Sequence, residues 1–140
     1  YDGVFETLEQ LKVDGHRLSV YTAGDYRIQR KKLLDSGLLP YFEHEFISKH
    51  KNSQVLRQIL GKLAEERENV WMIGNSLRSD IRPAMEVGIH ALHIPAKKEW
   101  SYNQVELTVK PRMKCMFLRL NDIEEVPFAV KRHIDTQSVG

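Results

Sequence analysis

Helical and strand patterns alternate through residues 1–95, and this alternation constrains the fold more than any other feature of the sequence. Apolar residues recur at helical spacing within 4–11, 26–37 and 52–66, and a further helix is predicted over 80–88. Short β-rich runs separate these segments, at 17–22, 43–48, 69–73 and 90–95. Such alternation is typical of a parallel sheet covered by helices on both faces. We therefore expect an α/β fold with a three-layer, Rossmann-like parallel sheet.

The pattern weakens after Pro95, where only a strand over 116–121 and a closing helix over 123–134 are predicted. The sequence contains no internal repeat and no linker that would separate two domains. We therefore expect one partial domain over residues 1–134 and a disordered tail over 135–140. The chain begins at Tyr1, in the lead-in to a helix, so we expect it to be a fragment of a longer protein.

Composition argues against several classes of partner and location. A formal net charge of +2, from 21 basic and 19 acidic residues, gives no electrostatic basis for binding nucleic acid or a membrane surface. No apolar run approaches the roughly 20 residues that a membrane helix needs. The lone cysteine, Cys115, has no intramolecular disulfide partner and lies among methionines. This environment predicts a small core hydrophobe and a reducing, cytoplasmic compartment.

Polar residues follow three of the predicted strands at the points where these strands end. In chain order they are Thr22, Lys49, Lys51, Asn75 and Asp80. In open parallel sheets, ligands bind beyond the carboxyl ends of the strands. A hydroxyl with free backbone N–H groups can hold phosphate oxygens, and a lysine neutralises their charge. Amide and carboxylate oxygens suit Mg²⁺. The set therefore predicts a site for a phosphate and a hard metal ion, with either lysine as its cation.

Each of these residues also has a simpler interpretation when it is considered alone. A threonine at the end of a strand commonly reflects β-propensity, and an aspartate at the start of a helix is commonly a cap. His90 and His93 would lie on opposite faces of a strand, so we expect core or surface positions rather than a metal pair. The sequence has neither a G-x-G-x-x-G motif nor a P-loop, which argues against a nucleotide-binding fold.

In order and spacing, however, these residues resemble the haloacid dehalogenase superfamily, most of whose members are Mg²⁺-dependent phosphatases. The stretch VYTAGD resembles the second motif of the family, SKHKNSQVLRQIL the third, and IGNSLRSDIRPAMEVGIHALHIP the fourth. Trp100 resembles a tryptophan of a phosphatase-like branch. The resemblance favours Lys51 over Lys49. It implies phosphate binding by Thr22, Ala23, Gly24 and Lys51, catalytic roles for Lys51 and Asp80, and metal binding by Asn75 and Asp80.

The sequence departs from the family pattern at two places. Asn75 stands where most relatives carry the Mg²⁺-binding aspartate, so we expect weaker metal affinity. The dehalogenases also use Ser-Asn near this position and need no metal, but the five-residue step from Asn75 to Asp80 favours the phosphatases. The first motif, Asp-x-Asp-x-Thr or Ser, has no match in the chain. The resemblance therefore implies an incomplete core that lacks its first central strand and its cap.

By this resemblance, the intact parent is a Mg²⁺-dependent phosphatase that acts on a small phosphorylated metabolite through an aspartyl-phosphate, and this chain alone is inactive. Two alternatives remain, a catalytically silent interaction domain and a metal-independent, dehalogenase-like hydrolase. Without a central strand, the inner edges of strands 17–22 and 69–73 would face each other. We expect a missing segment, another chain or closure of the sheet to fill this gap, and strand 116–121 is a local candidate. An unpaired sheet edge would also support self-association.

Overall fold

A computed structural model describes residues 3–95 and 116–139, in which helices and strands alternate as far as the fourth strand. The helices are α1 (Val4–Val13), α2 (Tyr26–Ser36), α3 (Ser53–Leu63), α4 (Arg82–Val87) and α5 (Val126–Val139). The strands are β1 (Ser19–Ala23), β2 (His44–Ser48), β3 (Trp71–Gly74), β4 (His90–His93) and β5 (Phe117–Arg119). Cys115 and Trp100, for which the sequence made predictions, lie outside the described residues.

Residue contacts divide the chain into two compact units. The first unit consists of residues 1–49 and 122–140, and the second consists of residues 50–121. The single partial domain over residues 1–134 therefore stays a prediction. The disorder predicted for residues 135–140 likewise stays a prediction, while α5 runs from Val126 to Val139. After Pro127, in the first turn of this helix, no proline or glycine interrupts it before Gly140.

Every strand pair in the described chain is parallel, which confirms the predicted α/β class with parallel sheets. In the first unit, β1 pairs with β2 from Ser19 opposite His44 to Ala23 opposite Ser48. In the second unit, β4 lies between β3 and β5. Among the described residues, no strand hydrogen-bonds to both sheets. The described strands therefore form two parallel sheets, of two and three strands.

The predicted strand over 116–121 is present, but its expected position was wrong. It forms β5, which lies beside β4, and the backbone N–H of Leu120 donates to the carbonyl of His93 at 2.8 Å. This strand therefore extends the sheet of the second unit at the edge of β4 away from β3. The local candidate for the predicted gap is therefore eliminated.

Helix α3 is capped by Asn52, because its Oδ1 accepts a hydrogen bond from the backbone N–H of Val55 at 2.9 Å. The buried residues of the helix are Leu56, Ile59 and Leu60. These three residues form the face that packs into the core.

The core of the second unit surrounds β4, whose four residues are all buried. A strand that is paired on both edges and covered by helices excludes water along its whole length. Apolar side chains of α3, of α4 and of the segments next to them contribute to this core, among them Leu56, Ile59, Ile81, Ala84, Val87 and Ile89. The ring of His90 stacks on Trp71 of β3, with centroids 4.3 Å apart. The carboxyl ends of β3 and β4 are therefore held in a packed environment.

The helices of the described chain give no sign of a membrane span, since none combines sufficient length with sufficient apolar character to cross a bilayer.

Candidate functional site

The segment between β3 and α4 begins at Gly74 and turns through a π-helical turn, Leu77–Ile81. Ser76 caps this turn, because its Oγ accepts a hydrogen bond from the backbone N–H of Ser79 at 3.0 Å. Pro83 lies in the first turn of α4, where its missing N–H costs no helical hydrogen bond. π-Helical turns are rare and occur frequently at functional sites.

A buried ion pair links this turn to the segment before α3. The Nζ of Lys51 donates to Oδ1 of Asp80 at 2.8 Å, and the two side chains are 18% and 6% exposed. The other oxygen, Oδ2, accepts a hydrogen bond from the backbone N–H of Ser76 at 3.3 Å. Both oxygens of the buried carboxylate are thus hydrogen-bonded, which offsets the cost of removing its charge from water. Asp80 is therefore the buried partner of Lys51, whereas Lys49 is exposed.

The glycine at the end of β3 is required by the position of Asp80. A Cβ added to Gly74 would lie 2.6 Å from both Cβ and Cγ of Asp80, closer than such atoms approach each other in proteins. A side chain at residue 74 would therefore push Asp80 away from Lys51. This steric requirement explains the glycine of the IGNS stretch.

Asn75 lies at the carboxyl end of β3 with an exposed side chain, and its amide has no hydrogen-bond partner among the described residues. Its backbone carbonyl is 3.1 Å from Nε2 of His93, which is opposite Gly74 in the parallel register. His93 is 7% exposed. Burial lowers the pKa of His93, and the charge of Arg119 lowers it further, although the Asn75 carbonyl and Asp80 oppose this shift.

The predicted phosphate-binding residues at the end of β1 are hydrogen-bonded within the first unit. The hydroxyl of Thr22 donates to Oε1 of Gln29 at 3.2 Å. The backbone N–H of Gly24 donates to the carbonyl of Ser48 at 2.8 Å, one residue beyond the pairing of Ala23 with Ser48. The hydroxyl of Thr22 and the backbone N–H of Gly24 therefore already have protein acceptors.

Three of the predicted site residues lie close together within the second unit. Lys51 and Asp80 are in contact in the second unit, and Asn75 lies in the same turn as Asp80. Thr22, Ala23 and Gly24 belong to the first unit. The catalytic, phosphate-binding and metal-binding roles of these six residues stay predictions.

The oxygen donors of the second unit fit a hard cation only in part. Asn75 presents an exposed amide oxygen, a ligand type that Mg²⁺ accepts. Asp80 is nearly buried and has both oxygens hydrogen-bonded, so it suits contact through a metal-bound water. No group of three or more His, Cys, Asp or Glu residues in the described ranges could hold a metal ion. A bound Mg²⁺ would therefore need further ligands.

Two residues that contact the candidate site were not identified from the sequence. The side-chain oxygen of Gln29 accepts a hydrogen bond from the hydroxyl of Thr22, and the Gln29 side chain packs against Gly24. His93 was expected in the core or at the surface, and it is buried, but it also contacts the turn that carries Asn75. The sequence indicated these two residues only through their positions. Gln29 lies near the start of the helix that follows β1, and His93 lies at the carboxyl end of β4.

Sequence comparison assigns most of this chain to one family. Residues 1–94 match the profile of the family described as haloacid dehalogenase-like hydrolase. A glyceraldehyde 3-phosphate phosphatase of Pyrococcus furiosus is 28% identical over 129 residues, covering 89% of this chain and 52% of the relative. A pyrimidine 5'-nucleotidase, PynA, of Streptococcus pneumoniae is 32% identical over 99 residues, covering 64% and 40%. The chain thus spans about half the length of the curated relatives it matches.

Solved structures with the same fold also extend beyond this chain. A haloacid dehalogenase-like family hydrolase from Xanthomonas campestris superposes with a TM-score of 0.82 at 25% identity, covering all of this chain and 57% of that protein. The putative HAD-hydrolase YfnB of Bacillus subtilis was solved bound to magnesium. It superposes with a TM-score of 0.75 at 20% identity, covering 93% of this chain and 55% of that protein.

The steric role of Gly74 can be tested with a matched pair of glycine substitutions. We expect Gly74→Ala to lower the free energy of unfolding by roughly 1–3 kcal/mol, because overpacking displaces the Asp80 side chain. Gly61→Ala, in α3, meets no atom within 4 Å and should raise it by about 0.5–1 kcal/mol through helix propensity. Urea unfolding of both variants measures the difference. Equal stabilities would contradict the proposed steric role.

The Lys51–Asp80 pair should contribute more to stability than an exposed pair does. Lys51→Met leaves Asp80 buried without its cation, and we expect a loss of about 2 kcal/mol, between the values typical of exposed and of fully buried pairs. Arg82→Met breaks the exposed pair of Arg82 with Glu86 and should cost no more than about 0.5 kcal/mol. Chemical denaturation of the two variants compares these losses. A smaller loss for Lys51→Met than for Arg82→Met would show that the buried pair is dispensable.

The lowered pKa of His93 predicts the direction in which the stability of the fold changes with pH. The unfolded chain takes up a proton at His93 below about pH 6.5, before the folded chain does. The contribution of this group is therefore fully present above that pH and is lost as the pH falls toward the folded-state pKa. We expect the melting temperature of His93→Gln to fall less than that of the wild type between about pH 7.5 and about pH 5.5. An equal fall in both proteins would contradict the burial of a neutral His93.

Proposed function

The chain belongs to the haloacid dehalogenase-like hydrolase family, and from this membership we propose that it is the carboxyl-terminal core of a phosphatase for a small phosphorylated metabolite. The observation that carries the proposal is the buried contact of Lys51 with Asp80 in the turn that also holds Asn75. A lysine held by a carboxylate beside an exposed oxygen ligand can attract both a phosphate and its metal ion.

Each residue of the second unit then has a distinct role. Lys51 neutralises negative charge on the transferring phosphoryl group, and Asp80 holds the ammonium in position. Asn75 would hold Mg²⁺ through its amide oxygen, and the nearly buried Asp80 would support the ion through a bound water. When bound, Mg²⁺ supplies positive charge that offsets the charge of the phosphate. The remaining ligands and the nucleophile are proposed to come from a part of the longer protein that precedes this chain.

The reaction that fits this family resemblance has two steps. An aspartate of the preceding part attacks phosphorus and displaces the ester oxygen, and a second aspartate protonates the departing alcohol. Water then cleaves the aspartyl-phosphate and releases inorganic phosphate. Thr22 contributes its hydroxyl to the phosphoryl oxygens, which requires release of the hydrogen bond to Gln29. Ala23 contributes its backbone N–H, and Gly24 contributes its own only if its hydrogen bond to Ser48 also opens.

The names of the relatives support a small phosphate ester as the substrate. One is a phosphatase of glyceraldehyde 3-phosphate and the other is a nucleotidase. These substrates share a phosphate monoester and differ in the group that carries it. We therefore propose phosphate monoesters as the substrate class.

We also propose a cytoplasmic location, because a lone cysteine such as Cys115 suits a reducing compartment.

A second candidate function is a catalytically silent interaction domain. It is favoured by the incomplete ligand set of the described residues and by the neutral Asn75 in place of a carboxylate. The two candidates differ in one measurable property, because a silent domain would hydrolyse no phosphate ester in its longer form either.

The catalytic role of Lys51 can be tested in the longer parent protein with p-nitrophenyl phosphate and Mg²⁺. We expect Lys51→Met to lower kcat/KM by roughly a hundredfold or more, as removal of a preorganised charged group commonly does. Lys49→Met removes an exposed lysine two residues away and should keep most of the activity. Melting temperatures identify losses that are due to unfolding. Comparable losses in the two folded variants would refute the assignment of Lys51.

The amide at residue 75 predicts a particular response to added charge. Asn75→Asp in the parent protein restores a carboxylate at the metal site, so the Mg²⁺ concentration for half-maximal activity should fall about tenfold, which corresponds to ~1.4 kcal/mol. Arg78 is an exposed residue of the same turn, and Arg78→Gln, which also changes the charge by one unit, provides the control. A larger shift for Arg78→Gln than for Asn75→Asp would show that residue 75 does not ligate the ion.

A further inference from the structure

His93 is a buried polar group for which the proposed mechanism has no role. Its Nε2 lies 3.1 Å from the carbonyl of Asn75, and its ring is at the carboxyl end of the most buried strand. We propose that His93 is a positioning residue, which fixes the backbone of Asn75 and thereby aims its amide at the cation. This inference rests on the proposed function, because it takes Asn75 as a metal ligand.

The backbone of His93 provides a rigid anchor for its ring. The backbone carbonyl of His93 accepts a hydrogen bond at 2.8 Å from the backbone N–H of Leu120, the residue that follows β5. The next residue, Ile94, donates to the carbonyl of Gly74 at 3.0 Å. The strand is therefore tied on both edges directly at His93. A side chain on such an anchor can fix the position of a neighbouring turn.

The peptide bond between Asn75 and Ser76 is held from both of its polar ends. Its carbonyl oxygen, from Asn75, contacts the ring of His93 at 3.1 Å. Its N–H, from Ser76, donates to Oδ2 of Asp80 at 3.3 Å. Rotation of this peptide plane would break both hydrogen bonds at once. The two contacts therefore fix one backbone torsion of Asn75 and connect His93 to the Asp80–Lys51 pair.

The exposed amide of Asn75 depends on this backbone support. It has no hydrogen-bond partner among the described residues that could orient it directly. A ligand whose orientation comes from its backbone loses affinity when that backbone rotates freely. Groups that orient metal ligands commonly change metal affinity by about 10–100-fold when they are removed.

The contact also specifies the protonation of the imidazole. A carbonyl oxygen can only accept a hydrogen bond, so Nε2 of His93 must carry the hydrogen and Nδ1 of the neutral ring must be bare. Nitrogen-15 NMR of the histidine rings in this chain identifies the tautomer. We expect the Nε2–H form for His93. The Nδ1–H form would overturn the proposal, because the ring could not then donate to Asn75.

His90 offers a matched control on the same strand. It is 1% exposed, and its Nε2 also contacts a backbone carbonyl, that of Glu68, at 2.7 Å. Its Nδ1 accepts a hydrogen bond from Met116 at 2.8 Å. His90 has the same ring and a comparable burial to His93, but neither of these two hydrogen bonds reaches a residue of the segment 74–81. Loss of His90 should therefore affect stability without a specific effect on the cation.

Calorimetric titration of Mg²⁺ into the longer parent protein tests the role of His93 without relying on catalysis. We expect His93→Leu to weaken Mg²⁺ binding by about tenfold or more, and His93→Gln, which keeps a donor at a similar reach, to stay within about threefold of the wild type. His90→Leu should lower the melting temperature and leave the Kd of the folded protein unchanged. All titrations are performed well below the lowest melting temperature.

The outcomes separate this inference from the function on which it rests. If the wild type binds Mg²⁺ and His93→Leu binds it equally well, the role of His93 is overturned and the metal site stands. The same conclusion follows if His93→Gln binds as weakly as His93→Leu, or if His90→Leu weakens binding to the same degree. A wild-type parent that binds no Mg²⁺ overturns the metal role of Asn75 and the present inference with it.

Discussion

The buried ion pair of Lys51 with Asp80 is the interaction on which the local structure of the second unit depends. It joins two segments 29 residues apart, the start of α3 and the turn after β3. A buried carboxylate is tolerated only when its charge is compensated, and here a lysine and a backbone N–H do so. The same pair imposes glycine at residue 74, where any side chain would displace Asp80. The glycine at residue 74, the geometry of the turn and the charge of the ion pair therefore depend on one another.

Much of the fold was predictable because helices and strands have different apolar periods, and the parallel pairing followed from their alternation. The features that escaped prediction depend on contacts distant in sequence. The neighbour of β5 is chosen by backbone hydrogen bonds to β4, and a three-residue strand carries too little pattern to specify it.

The candidate site shows the same division between local and distant information. Lys51, Asn75 and Asp80 were identified because their motifs have a characteristic spacing, and the structure places two of them in contact. Gln29 and His93 were missed because their importance comes from partners on other elements, the hydroxyl of Thr22 and the carbonyl of Asn75. Spacing in the sequence indicates which residues share an edge of a sheet. It does not indicate which of their hydrogen bonds are already used, as those of Thr22 and Gly24 are.

The most direct test of the account compares hydrolysis of p-nitrophenyl phosphate by this chain and by a form extended toward its amino terminus to include an Asp-x-Asp motif, both with Mg²⁺. We predict turnover by the extended form only, because the roles proposed for Lys51, Asn75 and Asp80 are binding and positioning, and the proposed nucleophile is an aspartate of the preceding part. Turnover by this chain alone at a comparable rate would contradict the proposed division of the site. Absence of turnover in both forms would contradict the phosphatase function itself.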